Sequence, residues 1–288
     1  MAVLTMPSTP NFTRSTFRLT RAIAVSVSPF SGVTRTQEFD KVGWEADVAL
    51  PLMRRATAAE WQAFMLRCKG SVNTFKFADP DALTNTGTYS TGHLILNSRV
   101  SNTNVALTVT NGNTFTANAS TFGSLVVGDF IHVTGMANDE NNGTHKIVTA
   151  TSATVVVVDT VLTNVSSTSG CKVQNNVKGA EGLNMVGSTN GAAGTIKKGD
   201  YLSILNATSA SADPVQLLMV TEDAVDTSGS PHKFSVRTQP KLRTTPTNAT
   251  YVLFTNPKGM FRMVETGTDW SASHVSNYSI GFSCMEVV

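Results

Sequence analysis

Charge is what this sequence has least of. Lys, Arg, Asp and Glu make up 15% of its 288 residues, against roughly 25% in an average soluble protein. The formal net charge is only +2, too small to call for a nucleic-acid or anionic-membrane partner. Cysteine is also scarce: Cys68, Cys171 and Cys284 are isolated and odd in number, which excludes a disulfide scaffold and fits folding in a reducing cytosol. Long apolar runs are missing too. Nothing approaches the ~18 residues of a membrane span, and the run Val155–Val158 reads as a buried strand. Met1 to Asn11 lacks a basic n-region and a long apolar h-region, so neither a secretion signal nor an outer-membrane barrel is expected.

What is present is a β-forming palette. Hydrophobic residues reach 41% and glycine numbers 21, while Ser and Thr, about a quarter of the chain, supply polarity without charge. From Phe17 to Val27 the odd positions are apolar except Arg21, and from Val42 to Leu50 the even positions are apolar. Both stretches predict half-buried strands, the second closed by Pro51. A helix follows: Thr57 and Glu60 have the spacing of a capping box, and Trp61, Phe64, Met65 and Cys68 form one apolar stripe. That stripe reads as core packing. Gly70 is the expected stop, and Val72–Phe77 the next strand.

Residues 84–176 change texture, becoming rich in Thr, Asn, Val and Gly. Gly128-Asp129-Phe130-Ile131 is followed by two strand-like segments, and Gly199-Asp200-Tyr201-Leu202 by two more. The repetition predicts a duplicated small β-barrel, each copy entered by a Gly-Asp turn. Near the end, Phe261–Val264 reads as a short strand, and Tyr278, Ile280, Phe282 and Cys284 alternate with small or polar neighbours. The expected fold is therefore mainly β: a discontinuous β-sandwich domain with one flanking α-helix (1–83 and 258–288), interrupted by two inserted small barrel-like modules (84–176 and 177–257).

Catalytic patterns are hard to find. Gly194 to Gly199 has the outline of a phosphate loop, but Asp200 stands where the lysine belongs. His93, His132, His145, His232 and His274 are dispersed without metal-ligand spacing. Asp139 to Gly143 reads as a surface turn rather than a calcium loop. Arg14, Arg18 and Arg21, and Arg54-Arg55 with Lys41, suggest solvated ends or subunit salt bridges rather than a binding face. Trp270 and Tyr278 are the candidates for a sugar-stacking platform, with core or interface packing the blander alternative. No catalytic, metal or cofactor residue is assigned, and no enzyme activity is expected.

The segment Ser28 to Asp81 resembles the N-terminal domain of tail-tip proteins of long-tailed (siphovirus-type) bacteriophages. It runs from Ser-Pro-Phe-Ser-Gly through a Trp-bearing strand, a Leu-Pro-Leu-Met and a Trp-containing helix to Asn-Thr-Phe and Asp-Pro. The Gly-Asp module from Gly179 onward and the terminal Tyr278–Val287 are similar to the same group, the distal tail proteins. The resemblance covers roughly 1–80 and 177–288, and 84–176 is an additional module. It implies a homohexameric ring in the virion tail tip, assembled in the host cytoplasm and joining the tail tube protein to the baseplate hub. Tail-fibre or receptor-binding proteins are implied partners, host surface polysaccharide a further one, and DNA only passes through the lumen; no membrane partner is implied. Trp44, Leu50, Met53 and Arg54, on one strand and its exit, are the expected subunit-interface residues. The alternative expectation is a carbohydrate- or receptor-binding tail protein that acts through the inserted modules.

Overall fold

The computed structural model describes residues 2–89, 93–98, 100–187, 194–226, 232–274 and 276–287, without the side chains of residues 40 and 225. The fold is mainly β, with one α-helix among the described residues. The chain forms two compact units, Met1–Leu83 with Lys258–Val288, and Thr84–Pro257.

The first unit begins with β1 (Val3–Leu4) and a long antiparallel hairpin, β2 (Arg14–Val27) and β3 (Thr34–Ala49). The pair is in register from Arg14↔Ala49 to Arg21↔Val42, shifts at a bulge, and resumes from Ile23↔Glu38 to Val27↔Thr34. On β3 the alternation has its expected result: Val42, Trp44, Ala46 and Val48 are buried, and Leu50 just beyond continues the row. A short strand, β4 (Met53–Arg54), leads straight into α1 (Arg55–Cys68).

The helix starts earlier than its sequence suggests. Arg54 occupies the N-cap with no side-chain hydrogen bond, so Thr57 lies inside the first turn and the Thr57–Glu60 capping box does not form. The cause is tertiary: β4 is held as a strand, Met53 and Arg54 pairing with Tyr278 and Asn277. The extended chain therefore ends at Arg54 and the helix begins at the next residue. The stripe Trp61, Phe64, Met65 and Cys68 is buried as expected, joined by Ala58. Two left-handed residues in succession end the helix, Lys69 at φ 52° and Gly70 at φ 62°. A side chain on Gly70 would also meet the backbone of Thr266 at 3.1 Å, so glycine is required there twice over. β5 (Thr74–Phe77) follows, two residues later than its expected start.

The second unit opens with β6 (His93–Leu96). Six strands then close a first barrel: β7 (Ser101–Thr110), β8 (Thr114–Ala117), β9 (Phe130–Thr134), β10 (Gly143–Ser152), β11 (Val155–Val158) and β12 (Val165–Gln174). Next come β13 (Gly182–Gly187), β14 (Thr195–Ile196), β15 (Tyr201–Leu205), β16 (Pro214–Val220), β17 (Ala224–Val225), β18 (Lys233–Gln239) and β19 (Tyr251–Leu253). Of these, β13, β15, β16, β18 and β19 make a second closed barrel with β6 as the sixth strand.

The boundary between the modules therefore differs from the expected one at 176. β6 pairs with β13 (Met185↔Leu96) and with β19 (Tyr251↔Ile95), and its buried Leu94 and Leu96 belong to the second core. The first barrel is an insertion within the second. Four apolar residues between turns carry no mark of which barrel they will close, so the nesting is not written locally.

The two Gly-Asp turns are near copies. Gly128 and Gly199 adopt φ 93° and 92°, and their N–H groups donate to Ile147 O and Val220 O, each at 2.8 Å. Asp129 accepts from the Val126 N–H (2.9 Å) and Asp200 from the Lys197 N–H (3.0 Å), each three residues back. Positive φ and a short carboxylate are both needed, which is why the pair recurs.

The barrels meet at β9 and β13. The Asn184 amide accepts from the Phe130 N–H at 2.9 Å and donates to the Phe130 carbonyl at 2.8 Å, standing in for a strand partner. Asn176 does the same for the backbone of Asn184, both bonds at 2.8 Å. A Cβ on Gly182 would lie 2.2 Å from Phe130 Cγ, so only glycine admits the ring.

The chain then re-enters the first unit with β20 (Gly259–Met263), β21 (Ser271–Ala272), β22 (Asn277–Ser279) and β23 (Gly281–Glu286). β20 and β23 complete a six-stranded sheet ordered β1-β5-β20-β23-β3-β2, and β21-β22-β4 form a small separate sheet. Phe282 lies against Phe12, Trp61 and Phe75, so the C-terminal strand is integral to the core.

Candidate assembly surface

β2 and β3 are far longer than the strands around them, and the difference creates an arm. On its inner side β3 pairs with β23 only from Glu45 to Ala49. Beyond the bulge at Arg21/Ile23 the hairpin has only its own partner strand. Every described residue from Ile23 to Phe39 is exposed except the half-buried Ser28. Ile23, Val25 and Val27 are 52%, 61% and 59% exposed, and their partners Glu38, Thr36 and Thr34 share their face. The arm thus carries a row of β-branched aliphatics flanked by two threonines.

The tip is a tight turn. The Ser28 N–H donates to the Val33 carbonyl at 3.0 Å, the Gly32 N–H to the Ser28 carbonyl at 2.9 Å, and Gly32 takes φ 67°. Phe30 projects from it with 99% of its surface in solvent. At the root, cross-strand ion pairs fix the two strands: Arg18 bonds Glu45 at 3.0 Å and Asp47 at 2.6 Å, and Arg21 bonds Glu38 at 2.6 Å. Ser283 donates to Asp47 at 2.6 Å. That hydrogen bond, with Arg18 beside it, holds the Asp47 carboxyl below its ordinary pKa.

The residues expected at a subunit interface lie elsewhere. Trp44, Leu50 and Met53 are only 5–6% exposed; Trp44 packs on Phe17. Their apolar surface is taken up inside the unit, because the buried face of β3 points at its own core. Arg54 alone is exposed, at the helix N-cap. The signal for the arm was present in the sequence. The period-two stretches Phe17–Val27 and Val42–Leu50 already exceed the usual five or six residues of a strand, and a Pro-Phe-Ser-Gly tip puts an aromatic where a turn normally shows polar groups.

The other sequence candidates are occupied structurally. In the Gly194–Gly199 segment the Lys197 N–H is bound by Asp200, the Lys198 N–H by Asp223 and the Gly199 N–H by the Val220 carbonyl. Its amides are therefore not available to a phosphate. Asp139–Asn141 form a 3₁₀ turn, and the Asn141 amide bonds both the N–H and the carbonyl of Thr163. His132 and His145 are in the second unit, and burial is the main cause that lowers both below the ordinary histidine pKa. His93 stacks on Tyr251, and His232 meets the Asp226 carboxylate. Among the described residues no three His, Cys, Asp or Glu side chains converge as a metal site. The three cysteines are free and buried, and burial raises all three thiols, Cys68 to about 11.

Compared with known proteins, the chain matches no family model and no curated sequence.

Proposed function

We propose that the chain is a structural protein of a phage tail tip: a ring subunit that joins the tail tube to the baseplate hub and serves as an attachment platform. The observation that carries this reading is the bare arm. A two-stranded ribbon is at best marginally stable in water on its own, and this one presents an aliphatic face together with open strand edges, which favour pairing with another chain. A copy that seats its arm on a neighbour makes a head-to-tail contact, and such contacts close into a ring when the rotation allows. The resemblance over Ser28 to Asp81, which spans the arm's tip and outgoing strand, supplies the six-fold order and the place in the virion.

The test is native mass spectrometry and electron microscopy of the full-length protein. A closed ring of six is expected, and a variant carrying Ile23→Asp, Val25→Asp and Val27→Asp should be monomeric with an unchanged far-UV spectrum. A parent protein that stays monomeric at high concentration and is missing from the virion's tail tip overturns the reading. Glycan binding by the isolated second unit, without a ring, would favour the receptor-binding alternative.

A further inference from the structure

A groove of the first unit lies beside the root of the hairpin. It has a volume of about 770 Å³, within the usual range for ligand sites. Its lining brings together four stretches of chain: Arg14 and Arg18 from β2, Asp47 from β3, Ser283 from β23, and Asp269-Trp270 from the approach to β21.

Three properties of this lining restrict what could occupy it. First, Trp270 is 41% exposed and contributes to the groove, whereas Trp44 and Trp61 are buried. A rigid indole left at a groove's surface offers a flat apolar face at low entropic cost. Second, the polar groups are of both kinds, guanidinium donors and carboxylate acceptors, with serine hydroxyls that serve as either. Third, the charges almost cancel: Arg14 and Arg18 stand against Asp47, Glu265 and Asp269, so a phosphate or a strongly acidic chain gains little there. A peptide segment would want several apolar pockets, and one exposed aromatic does not supply them.

Part of the site is already ordered. Arg18 and Ser283 both bond Asp47, each at 2.6 Å, so these three polar groups are held in place before anything binds. Pre-ordered groups lower the entropic cost of recognition.

We propose that this groove binds a neutral saccharide, with Trp270 stacking on the C–H face of one sugar ring and Arg14, Arg18 and Asp269 bonding its hydroxyls. Every residue that lines the site belongs to the first unit. It does not depend on ring formation.

The experiment uses the full-length protein with maltohexaose, cellohexaose and N-acetylchitohexaose as probes. Because Trp270 is the exposed tryptophan, acrylamide quenching of indole fluorescence reads it selectively. At least one probe should protect it, with affinity of about millimolar, the strength expected of one stacked ring and a few hydrogen bonds. By saturation-transfer NMR, Trp270→Ala should weaken that binding by about tenfold or more. Asp269→Asn should weaken it less and Trp270→Phe should restore part, all with an unchanged far-UV spectrum. The proposal is overturned if none of the three probes binds at about 50 mM, well above that millimolar range. It is equally overturned if Trp270→Ala binds like the parent, or if inositol hexaphosphate or an acidic peptide displaces the sugar and binds more tightly.

Discussion

The outer half of β2 and the barrel strand β13 are drawn from similar residues and meet opposite fates. β13 pairs with β18 on one side and β6 on the other, and five of its six residues are buried. The stretch from Ile23 to Val27 pairs on one side only, and all five of its residues are exposed. Intrinsic β-propensity does not separate the two. What separates them is whether a second ladder and an opposing face are available. The barrels find both within their own chain and leave no open edge, whereas the arm finds neither.

The largest test of that contrast removes a strand from a closed barrel. Deleting 84–176 takes β6 with it, and with it Leu94 and Leu96, each worth roughly 1.5–3 kcal/mol when buried. The second barrel should then lose its thermal transition and aggregate through its opened edge. Deleting only 101–174 and joining the ends should leave that transition in place. Equal behaviour of the two deletions in calorimetry would refute the nested arrangement.

A smaller effect is expected at the seam between the barrels. Gly182→Ala drives a methyl into the Phe130 ring, and overpacking of this kind costs about 1–3 kcal/mol. The urea midpoint of the second unit should fall accordingly, and Phe130→Leu in the same chain should recover part of the loss.

Acid should distinguish the units more gently. His132 and His145 are held neutral by burial, so their folded pKa values lie below the unfolded one. Their contribution is complete above about pH 6.5 and declines as pH falls through and below it, because the unfolded chain then binds protons the folded one refuses. In the first unit Asp47 has a lowered carboxyl pKa, so its contribution is present at neutral pH and lost only in strong acid. Melting curves between pH 7 and pH 5 should therefore show the second unit weakening while the first holds. A parallel decline of both would argue against the assignment.

The smallest effect belongs to the arm itself. Replacing 23–38 with a two-residue turn removes no buried side chain among the described residues, and the Arg21–Glu38 pair it takes is a surface bridge worth about 0–1 kcal/mol. The first unit should melt within a degree or two of the monomeric Ile23→Asp, Val25→Asp, Val27→Asp variant, since surface changes usually stay within about 0.5 kcal/mol. A large loss would mean that the arm packs on the body.

Much of the fold was legible where periodicity could act alone. The even positions of β3, the stripe on α1 and the alternation from Ile280 to Cys284 all reported a buried face, because burial on one side imposes such a period; Tyr278, expected on the same strand, is instead half-buried in β22 on the separate sheet. The repeated Gly-Asp pair was legible for a different reason: its turn needs those two residues. What periodicity cannot report is the identity of the partner. It marked Trp44 and Leu50 as apolar but could not say that their own core would cover them, nor that Val25 would stay bare. The start of α1 was lost to a ladder with Asn277 and Tyr278, more than two hundred residues away. The groove at Trp270 was illegible for the same reason, since only the sheet order β23-β3-β2 brings Arg14, Asp47 and Ser283 together.

The nesting of the barrels also bears on how the chain folds as it is made. β6 leaves the ribosome well before β13, and the barrel that needs both must bring them together across everything between. That cost depends on the length of free chain to be closed, rising by about 0.6 kcal/mol for each doubling. The first barrel shortens it. Its β7 and β12 run side by side, with Ser101 opposite Gln174, so once folded it returns the chain to where it departed. A barrel of six strands then counts, for the closure of the second, as little more than a tight turn. Synthesis order and topology agree: the inner barrel is complete while the outer one is still being translated. Released chains that end near residue 180 should already protect 101–174 from protease, although they contain no strand of the outer barrel except β6.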